Sequence, residues 1–337
     1  MRILLIQLDG KMPNLALMRL GAHHKASGDQ VELRQARRPD SSAFEVGLWD
    51  SFDRVYASTI FTKTAAVVRR LREVYPAAIV GGTGVDRGKP AADRMTLERL
   101  GITSAEQDYG LYPSFAASIG YTQRGCRLNC GFCDVPLAEG KVTKAARVHD
   151  IWRGQPWPKH LILLDNDFFG QTDWRAEIEA IRDGGFKVSL TQGINARLLS
   201  DEAAEAIASI DYYNDSFSRR CIHTAWDSLG DDGPLFRGLH ALVRHGVKPY
   251  EITVYMLIEY GTPLEDWEER RRRLREFGAM PYPMPYLRTP GARGFQRWCL
   301  GGYDRPERRH YIPWDVFERA GYEPRNVNNT DYQLTPN

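Results

Sequence analysis

The chain has 337 residues, 42% of them hydrophobic and 26% charged, with a formal net charge of +2. That balance is ordinary for a globular protein of two domains, or of a barrel with an appended domain, and gives no electrostatic case for nucleic acid or a membrane surface. Its five cysteines, three of them clustered, do not make a disulfide framework and fit a reducing cytosol.

The N-terminus carries too short an apolar run for a signal peptide, and no window approaches the ~18 apolar residues of a membrane helix. A cytoplasmic enzyme is the expectation. Residues 2–7 read as a buried strand, Leu15 to Ser27 as an amphipathic helix ending at Gly28, and Gln30 to Leu33 as a second strand. Arg54 to Ser58 gives a third strand and Thr64 to Val74 a helix. Ala78 to Val80 is a strand running into Gly81-Gly82-Thr83-Gly84. Strands alternating with helices imply a parallel sheet covered on both faces. The glycine run lacks the Gly-x-Gly-x-x-Gly spacing, so a dinucleotide site is only weakly signalled.

Residues 104–117, with Tyr109, Tyr112 and Pro113, read as a linker. From Ser118 strands alternate with helices again. Strands are expected at Ser118–Thr122, His160–Asp165, Lys187–Thr191, Cys221–Ala225, Glu251–Ile258 and Met280–Tyr286. Helices are expected at Trp174–Arg182, Asp201–Ile210, Pro234–His245 and Pro263–Phe277. In the last of these, Glu268–Arg272 and Glu269–Arg273 are spaced for ion pairing, and the run Arg270 to Arg273 reads as a solvated face. Residues 287–337 hold Arg, Tyr, Trp and Pro without clear periodicity and are expected to cover a barrel's side or mouth. There is no internal repeat.

The most specific signal is Cys126-Arg127-Leu128-Asn129-Cys130-Gly131-Phe132-Cys133, with its C-x3-C-x2-C spacing. Thiolates are soft ligands that select iron–sulfur clusters, zinc or copper. A zinc site wants four protein ligands, and ferredoxin clusters use four cysteines at other spacings. Three close thiolates point to a four-iron cluster with one iron left open for chemistry. An incidental cluster, or a zinc knuckle completed from afar, is the bland alternative.

This spacing, with Phe132 before the third cysteine, resembles the signature of the radical S-adenosylmethionine (SAM) superfamily. There the amino and carboxylate groups of SAM chelate the fourth iron. The order strand, Pro13-led helix, strand, Phe52-Asp53-Arg54-Val55 and Gly-Gly turn resembles the B12-binding-like domain preceding many radical SAM barrels. The fold so implied is α/β: an N-terminal Rossmann-like (B12-binding-like) domain over 1–105, then a partial (β/α)6 radical SAM barrel over 106–290. A C-terminal extension over 291–337 would cover the barrel. In barrels of this kind catalytic groups sit at the C-terminal ends of the strands.

Cobalamin is not favoured. The Asp-x-His-x-x-Gly motif is missing, since Asp9 is followed by Lys11 and neither His23 nor His24 has the required aspartate. Some radical enzymes of that branch bind cobalamin without the histidine, but a degenerate domain kept for packing or substrate binding is preferred. The remaining cofactors implied are a [4Fe–4S] cluster on Cys126, Cys130 and Cys133, and SAM.

The resemblance also suggests SAM contacts. Asp165, Asn166 and Asp167 would accept from the ammonium, a group that needs several oxygen partners; turn formation is the competing explanation. Gln192, Asn195 and Arg197 would bind the ribose hydroxyls and the methionine carboxylate, Arg with a bidentate fork. Helix capping and surface charge compete. Ile258 and Glu259 match the segment presenting backbone to adenine, although Glu259 stands where relatives often have glycine, and Phe132 is a further adenine contact.

Cys221 and Cys299 read as buried free thiols, a hydrogen-atom donor role for Cys299 being speculative. The stretch Tyr282 to Tyr286 lines a substrate pocket or packs.

The expected function is reductive cleavage of SAM to a 5′-deoxyadenosyl radical that abstracts hydrogen from an unidentified substrate. A small molecule or peptide is preferred to nucleic acid, with flavodoxin or ferredoxin as electron donor. RNA methylthiotransferases are disfavoured because no cysteine precedes Cys126. A cobalamin-dependent methyltransferase, and a non-catalytic iron–sulfur or zinc-binding protein, are the alternatives.

Overall fold

Ile3, Leu4, Leu5 and Ile6 are apolar at both parities, so the strand they form must be covered on both faces. In the computed structural model, which describes residues 1–45 and 51–327, that is its situation. Strand β1 (Arg2–Gln7) lies between β2 (Gln30–Gln35) and β3 (Arg54–Ser58), with β4 (Ile79–Gly81) beyond β3, and every pairing is parallel. Ile3 and Leu5 pack with Leu17 and Leu20 of helix α1 (Leu15–Ala26). Leu4 and Ile6 pack on the opposite face with Val67, Val68 and Leu71 of α2 (Ala65–Val74). Each such side chain contributes about 1.5–3 kcal/mol by leaving water.

The glycines after β4 are explained by close packing. A Cβ at Gly82, where φ is +101°, would lie 2.3 Å from the Thr59 carbonyl, and one at Gly84 would lie 2.4 Å from the Thr59 hydroxyl. Gly82 caps a short helix, α3 (Thr83–Asp86), and Gly84 lies in its first turn. Asp9, just past β1, accepts from the amides of Ile60 and Phe61 and the hydroxyls of Thr59 and Thr64 at 2.7–2.8 Å. His24 is buried, with Nδ1 2.7 Å from Asp29 and Nε2 3.3 Å from the Tyr56 hydroxyl.

These elements belong to a first unit, Met1–Gly120 with Gly125–Val142 and Trp152–Pro158, which also holds β5 (Ser118–Gly120) and α4 (Val135–Ala138). The second unit is Tyr121–Arg124, Thr143–Ile151 and Lys159–Asn337. The final ten residues of the expected extension, 328–337, lie outside the described residues.

The second unit begins with β6 (Gln123–Arg124) and β7 (Thr143–Lys144), paired antiparallel, followed by α5 (Val148–Ile151). Strands β8 (His160–Leu163), β9 (Lys187–Leu190) and β10 (Asp211–Tyr212) are parallel neighbours, with α6 (Trp174–Asp183) and α7 (Asp201–Ala208) in the connections. Only two residues long, β10 was not expected from the sequence. Strands β11 (Ile222–Ala225), β12 (Ile252–Ile258) and β13 (Met280–Pro285) form a second parallel set. Between them run α8 (Asp232–Arg244) and α9 (Leu264–Phe277). The Ile194 amide donates to the His223 carbonyl at 2.8 Å, which fixes the turn after β9 against β11. The fold is therefore mixed α/β with parallel sheets.

Strand β13 contains Pro281, Pro283 and Pro285, yet it pairs with β12 along its whole length. It is the last strand of its set. Prolines at alternate positions all face away from β12, so no ladder donor is lost.

Helix α9 corrects one expectation. Trp267, Arg270 and Leu274, at helical spacing, are its buried residues, so the arginine run is not a single solvated face. Its ion pairs also differ from the expected ones. Arg271 pairs with Glu268, Arg272 with Glu269 and Glu276, and Arg273 with Asp232.

Residues 287–327 are more ordered than their composition suggested. Helix α10 (Pro290–Leu300) starts at Thr289, whose hydroxyl accepts from the Ala292 amide at 3.2 Å, with proline in the first turn. It buries Ala292, Phe295, Trp298 and Cys299. A shorter helix, α11 (Trp314–Arg319), adds Trp314 and Phe317 to an aromatic cluster with Phe295, Trp298 and Tyr322. Gln296 donates to the Pro283 carbonyl at 2.7 Å and so ties α10 to β13. Among the described residues, no helix is long and apolar enough to cross a membrane.

Candidate functional site

The cysteine segment lies in the first unit, between Gly125 and α4. Gly125 has φ +82°, and a Cβ there would lie 2.2 Å from the Lys141 carbonyl, so only glycine fits. Its amide donates to Glu139 at 2.8 Å and the Cys126 amide to the Gly140 carbonyl at 3.2 Å, which pins the base of the segment. Within it, the Cys133 amide donates to the Cys130 carbonyl at 3.0 Å and the Leu128 amide approaches Cys126 Sγ at 3.4 Å.

The segment's far end is held by Asp134, which accepts from the Gly88 amide and from Arg94 at 2.8 Å. Burial alone would raise the Asp134 carboxyl. Arg94 and the Gly88 amide outweigh it and leave the group below the usual carboxylate range. Arg87 reaches the Phe132 carbonyl at 3.4 Å, and Phe132 itself is half-buried.

None of the five cysteines is in a disulfide; Cys126, Cys130 and Cys133 are half-buried, whereas Cys221 and Cys299 are buried. Three thiols on one pinned segment, none in a disulfide, are the donor set a cluster requires. Among the described residues, no group of three or more His, Cys, Asp or Glu side chains is gathered to hold a metal ion. The chemistry of the donors fits the cluster, and the geometry alone does not form a metal site.

In the second unit, β8 ends at Leu163, before the expected Asp165. The Asp165 carboxylate, 3% exposed, accepts from the Thr122 amide at 2.7 Å, the Thr122 hydroxyl at 2.5 Å and the Gln123 amide at 3.2 Å. It therefore braces β6, the strand leading into the cysteine segment. Asp167 is also buried and Asn166 half-buried. The Asp165–Asp167 turn continues into a helical turn over Phe168–Gly170.

Burial pushes the Asp165 carboxyl up to about 6, against the opposing pull of Thr122 and Gln123. A carboxyl raised on folding stabilises the protein fully below its unfolded pKa, and that stability is lost as pH rises through about 6. At about 1.4 kcal/mol per pKa unit, the loss is roughly 3 kcal/mol. In Asp165→Asn this component is absent. The stability of wild type relative to the variant should fall by that amount between about pH 4 and 7, as measured by denaturation of the cluster-free protein. Parallel profiles would overturn the assignment.

Beside this carboxylate are polar atoms that the sequence did not mark. Both ends of the Gln123 amide and Oε1 of Gln171 are buried without a hydrogen-bond partner, as is the Ser189 hydroxyl. A buried polar group without a partner costs about 1–3 kcal/mol. Such atoms in a native fold call for water or a ligand. The only available signal for Gln123 was its place between a strand and the cysteine segment.

Of the other expected contacts, Gln192 is exposed and Asn195 half-buried. Arg197 Nε lies 3.4 Å from the Asn195 amide oxygen, and its Nη1 is paired with Asp231 at 2.6 Å. Asp227, just beyond β11, was not anticipated. Burial raises its carboxyl, with Arg197 and Arg270 opposing. Ile258 is fully buried, and Glu259 has φ +65° while accepting from the Thr289 hydroxyl at 2.5 Å. That left-handed backbone is one glycine adopts without strain. Cys299 is 1% exposed, and burial holds its thiol well above the usual range.

No protein-family model and no curated protein matches the chain. Among solved structures, the apo, selenomethionine-labelled cobalamin-dependent S-adenosylmethionine radical enzyme OxsB superposes on 89% of this chain with a TM-score of 0.50 and 12% identity. The match covers 55% of that protein, so this chain corresponds to about half of its length. At such identity the likeness is one of fold, and the fold it matches is that of a radical SAM enzyme.

Proposed function

We propose that the chain is a radical SAM enzyme. The observation that carries this reading is the segment Cys126 to Cys133, three cysteines outside any disulfide at C-x3-C-x2-C spacing on a backbone pinned at Gly125 and Asp134. The fold likeness to a radical SAM enzyme supports it. Cys126, Cys130 and Cys133 would each ligate one iron of a [4Fe–4S] cluster. When reduced by an external donor, such a cluster with SAM on its open iron supplies the electron that yields methionine and a 5′-deoxyadenosyl radical.

The chain's own groups bind and orient. Asp167, Asn166, the unpartnered side-chain amide of Gln123 and the unpartnered Oε1 of Gln171 offer oxygen and nitrogen partners to the amino-acid end of SAM. Arg197 and Asn195, with Gln192, serve the ribose and carboxylate, while the Ile258–Glu259 backbone serves adenine. Asp165 acts at one remove, holding Thr122 and Gln123 in place. The substrate is a small molecule or peptide, and the electron donor a flavodoxin or ferredoxin.

OxsB is described as cobalamin-dependent, so cobalamin use by this chain is the second reading. Here Asp9 and His24 are already engaged in hydrogen bonds within the first unit. Any cobalamin would therefore be held without an imidazole from His24. The test is anaerobic reconstitution with iron and sulfide, reduction with dithionite, and chromatography of the products. The expected result is 5′-deoxyadenosine and methionine formed from SAM. Fully loaded protein that leaves SAM intact would overturn the proposal.

A further inference from the structure

Side chains of β12 alternate in environment along the strand. Ile252, Val254, Met256 and Ile258 are 0% exposed. Thr253 and Tyr255, of opposite parity, face a cavity of about 500 Å³ within the second unit. Strand register places His223 of β11 beside Thr253, and Met280 and Tyr282 of β13 beside Thr253 and Tyr255. All of these line the cavity, with Thr191, Gln192, Met284, Leu300 and Arg219 completing the wall. A volume of this size suits a small organic molecule.

The wall's chemistry is lopsided. Arg219 carries its one permanent charge, and no carboxylate lines it. Methionine, leucine and tyrosine supply the apolar surface. The His223 and Tyr255 rings are stacked 5.3 Å apart and nearly parallel, with Tyr282 edge-on to Tyr255. Burial lowers the His223 pKa, and Arg219 lowers it further against the pull of Asp215. Cys221 Sγ, 3.5 Å from His223 Nε2 and from the Thr253 hydroxyl, fixes the ring from behind.

Arg219 is also held in place, by its backbone. The Asn214 side chain accepts from the amides of Ser218 and Arg219 and donates to the hydroxyls of Ser216 and Ser218. Phe217, at φ +55°, stacks on His160 at 4.3 Å. A six-residue turn with this much internal bonding fixes the backbone from which the exposed Arg219 side chain extends. Yet, among the described residues, its guanidinium has no carboxylate or carbonyl partner. A cation without a partner beside an apolar, aromatic wall suits an anion.

We infer that this cavity binds the substrate, and that the substrate is an anion, carboxylate or phosphate, carried on an apolar, unsaturated body. The anion would meet Arg219 and the body would lie against Tyr255, Tyr282 and the methionines. This rests on the radical SAM reading for the word substrate, but the binding itself does not.

The test is equilibrium binding of three matched probes: naphthalene-2-acetate, the neutral 2-(2-naphthyl)ethanol and the cationic 2-(2-naphthyl)ethylamine. The anion should bind best and the cation worst. Arg219→Gln should weaken the anion about ten- to a hundredfold, to the level of the alcohol, leaving the melting temperature unchanged. Tyr255→Leu should weaken anion and alcohol together. Equal binding of the three by wild type, no binding at all, or an anion preference that survives Arg219→Gln would each overturn the inference. So would displacement of the acetate by saturating SAM in cluster-loaded protein, which would make the cavity the cofactor's own. Failure to cleave SAM with the probe pattern intact would instead count against the radical reading alone.

Discussion

Replacing any one of Cys126, Cys130 and Cys133 by alanine will strip iron from the reconstituted protein and abolish SAM cleavage. Wild type should hold about four iron and four sulfide per chain, because three thiolates and SAM complete one cluster. A cluster deprived of one of its three protein ligands loses a third of its protein anchorage and leaves a second iron without a protein ligand. The fold should survive. All three cysteines are half-buried on an irregular segment, so truncation opens no core cavity. Far-ultraviolet circular dichroism and the melting temperature of the iron-free protein should be those of wild type. Cys299→Ala, a change at a buried thiol away from the segment, should retain full iron. Full iron and sulfide in all three segment variants, or stoichiometric zinc without iron in protein isolated anaerobically, would refute the cluster.

The largest effect on stability is expected at Arg270. This side chain on α9 is 0% exposed. It donates to the Trp226 carbonyl at 2.7 Å, the Leu257 carbonyl at 2.9 Å and Asp266 at 2.8 Å. One guanidinium thus binds α9 to the ends of β11 and β12. Arg270→Met keeps much of the apolar stem but leaves two strand-end carbonyls and the Asp266 carboxylate without their donor. Breaking a buried ion pair by removing one partner costs about 3–5 kcal/mol. Arg272, two positions on, sits on the exposed side of the same helix with Glu269 and Glu276, and Arg272→Ala should leave the unfolding midpoint where it is. Urea denaturation of the two variants beside wild type decides the matter. Equal midpoints for Arg270→Met and Arg272→Ala would show that the buried contacts contribute nothing.

Local pattern carried a good deal of this in the sequence. Apolar residues at both parities made β1 a strand covered on both faces, and the alternation of strands and helices made the sheets parallel. The cysteine spacing stood out because three soft ligands within eight residues need no tertiary contact to be recognised. Residues 290–300 were legible in principle, since Thr289-Pro290 begins a helix and 292, 295 and 299 share one face. Arginines and glycines between the apolar residues hid that period.

What the sequence could not decide were partners distant along the chain. Within Arg270 to Arg273 every side chain has the same chemistry, and only the packing of α9 against β12 separates the buried one from the rest. Asp165 looked like a ligand for an ammonium. The fold also brings Thr122 and Gln123, some forty residues earlier, to its oxygens. Gln123 and Arg219 carried no motif at all. Their interest lies in what they lack, a partner for a buried amide and for a guanidinium at a cavity wall. Composition and spacing report which groups a chain possesses, but an unmet hydrogen bond or charge exists only once the fold has assigned every other group its neighbour.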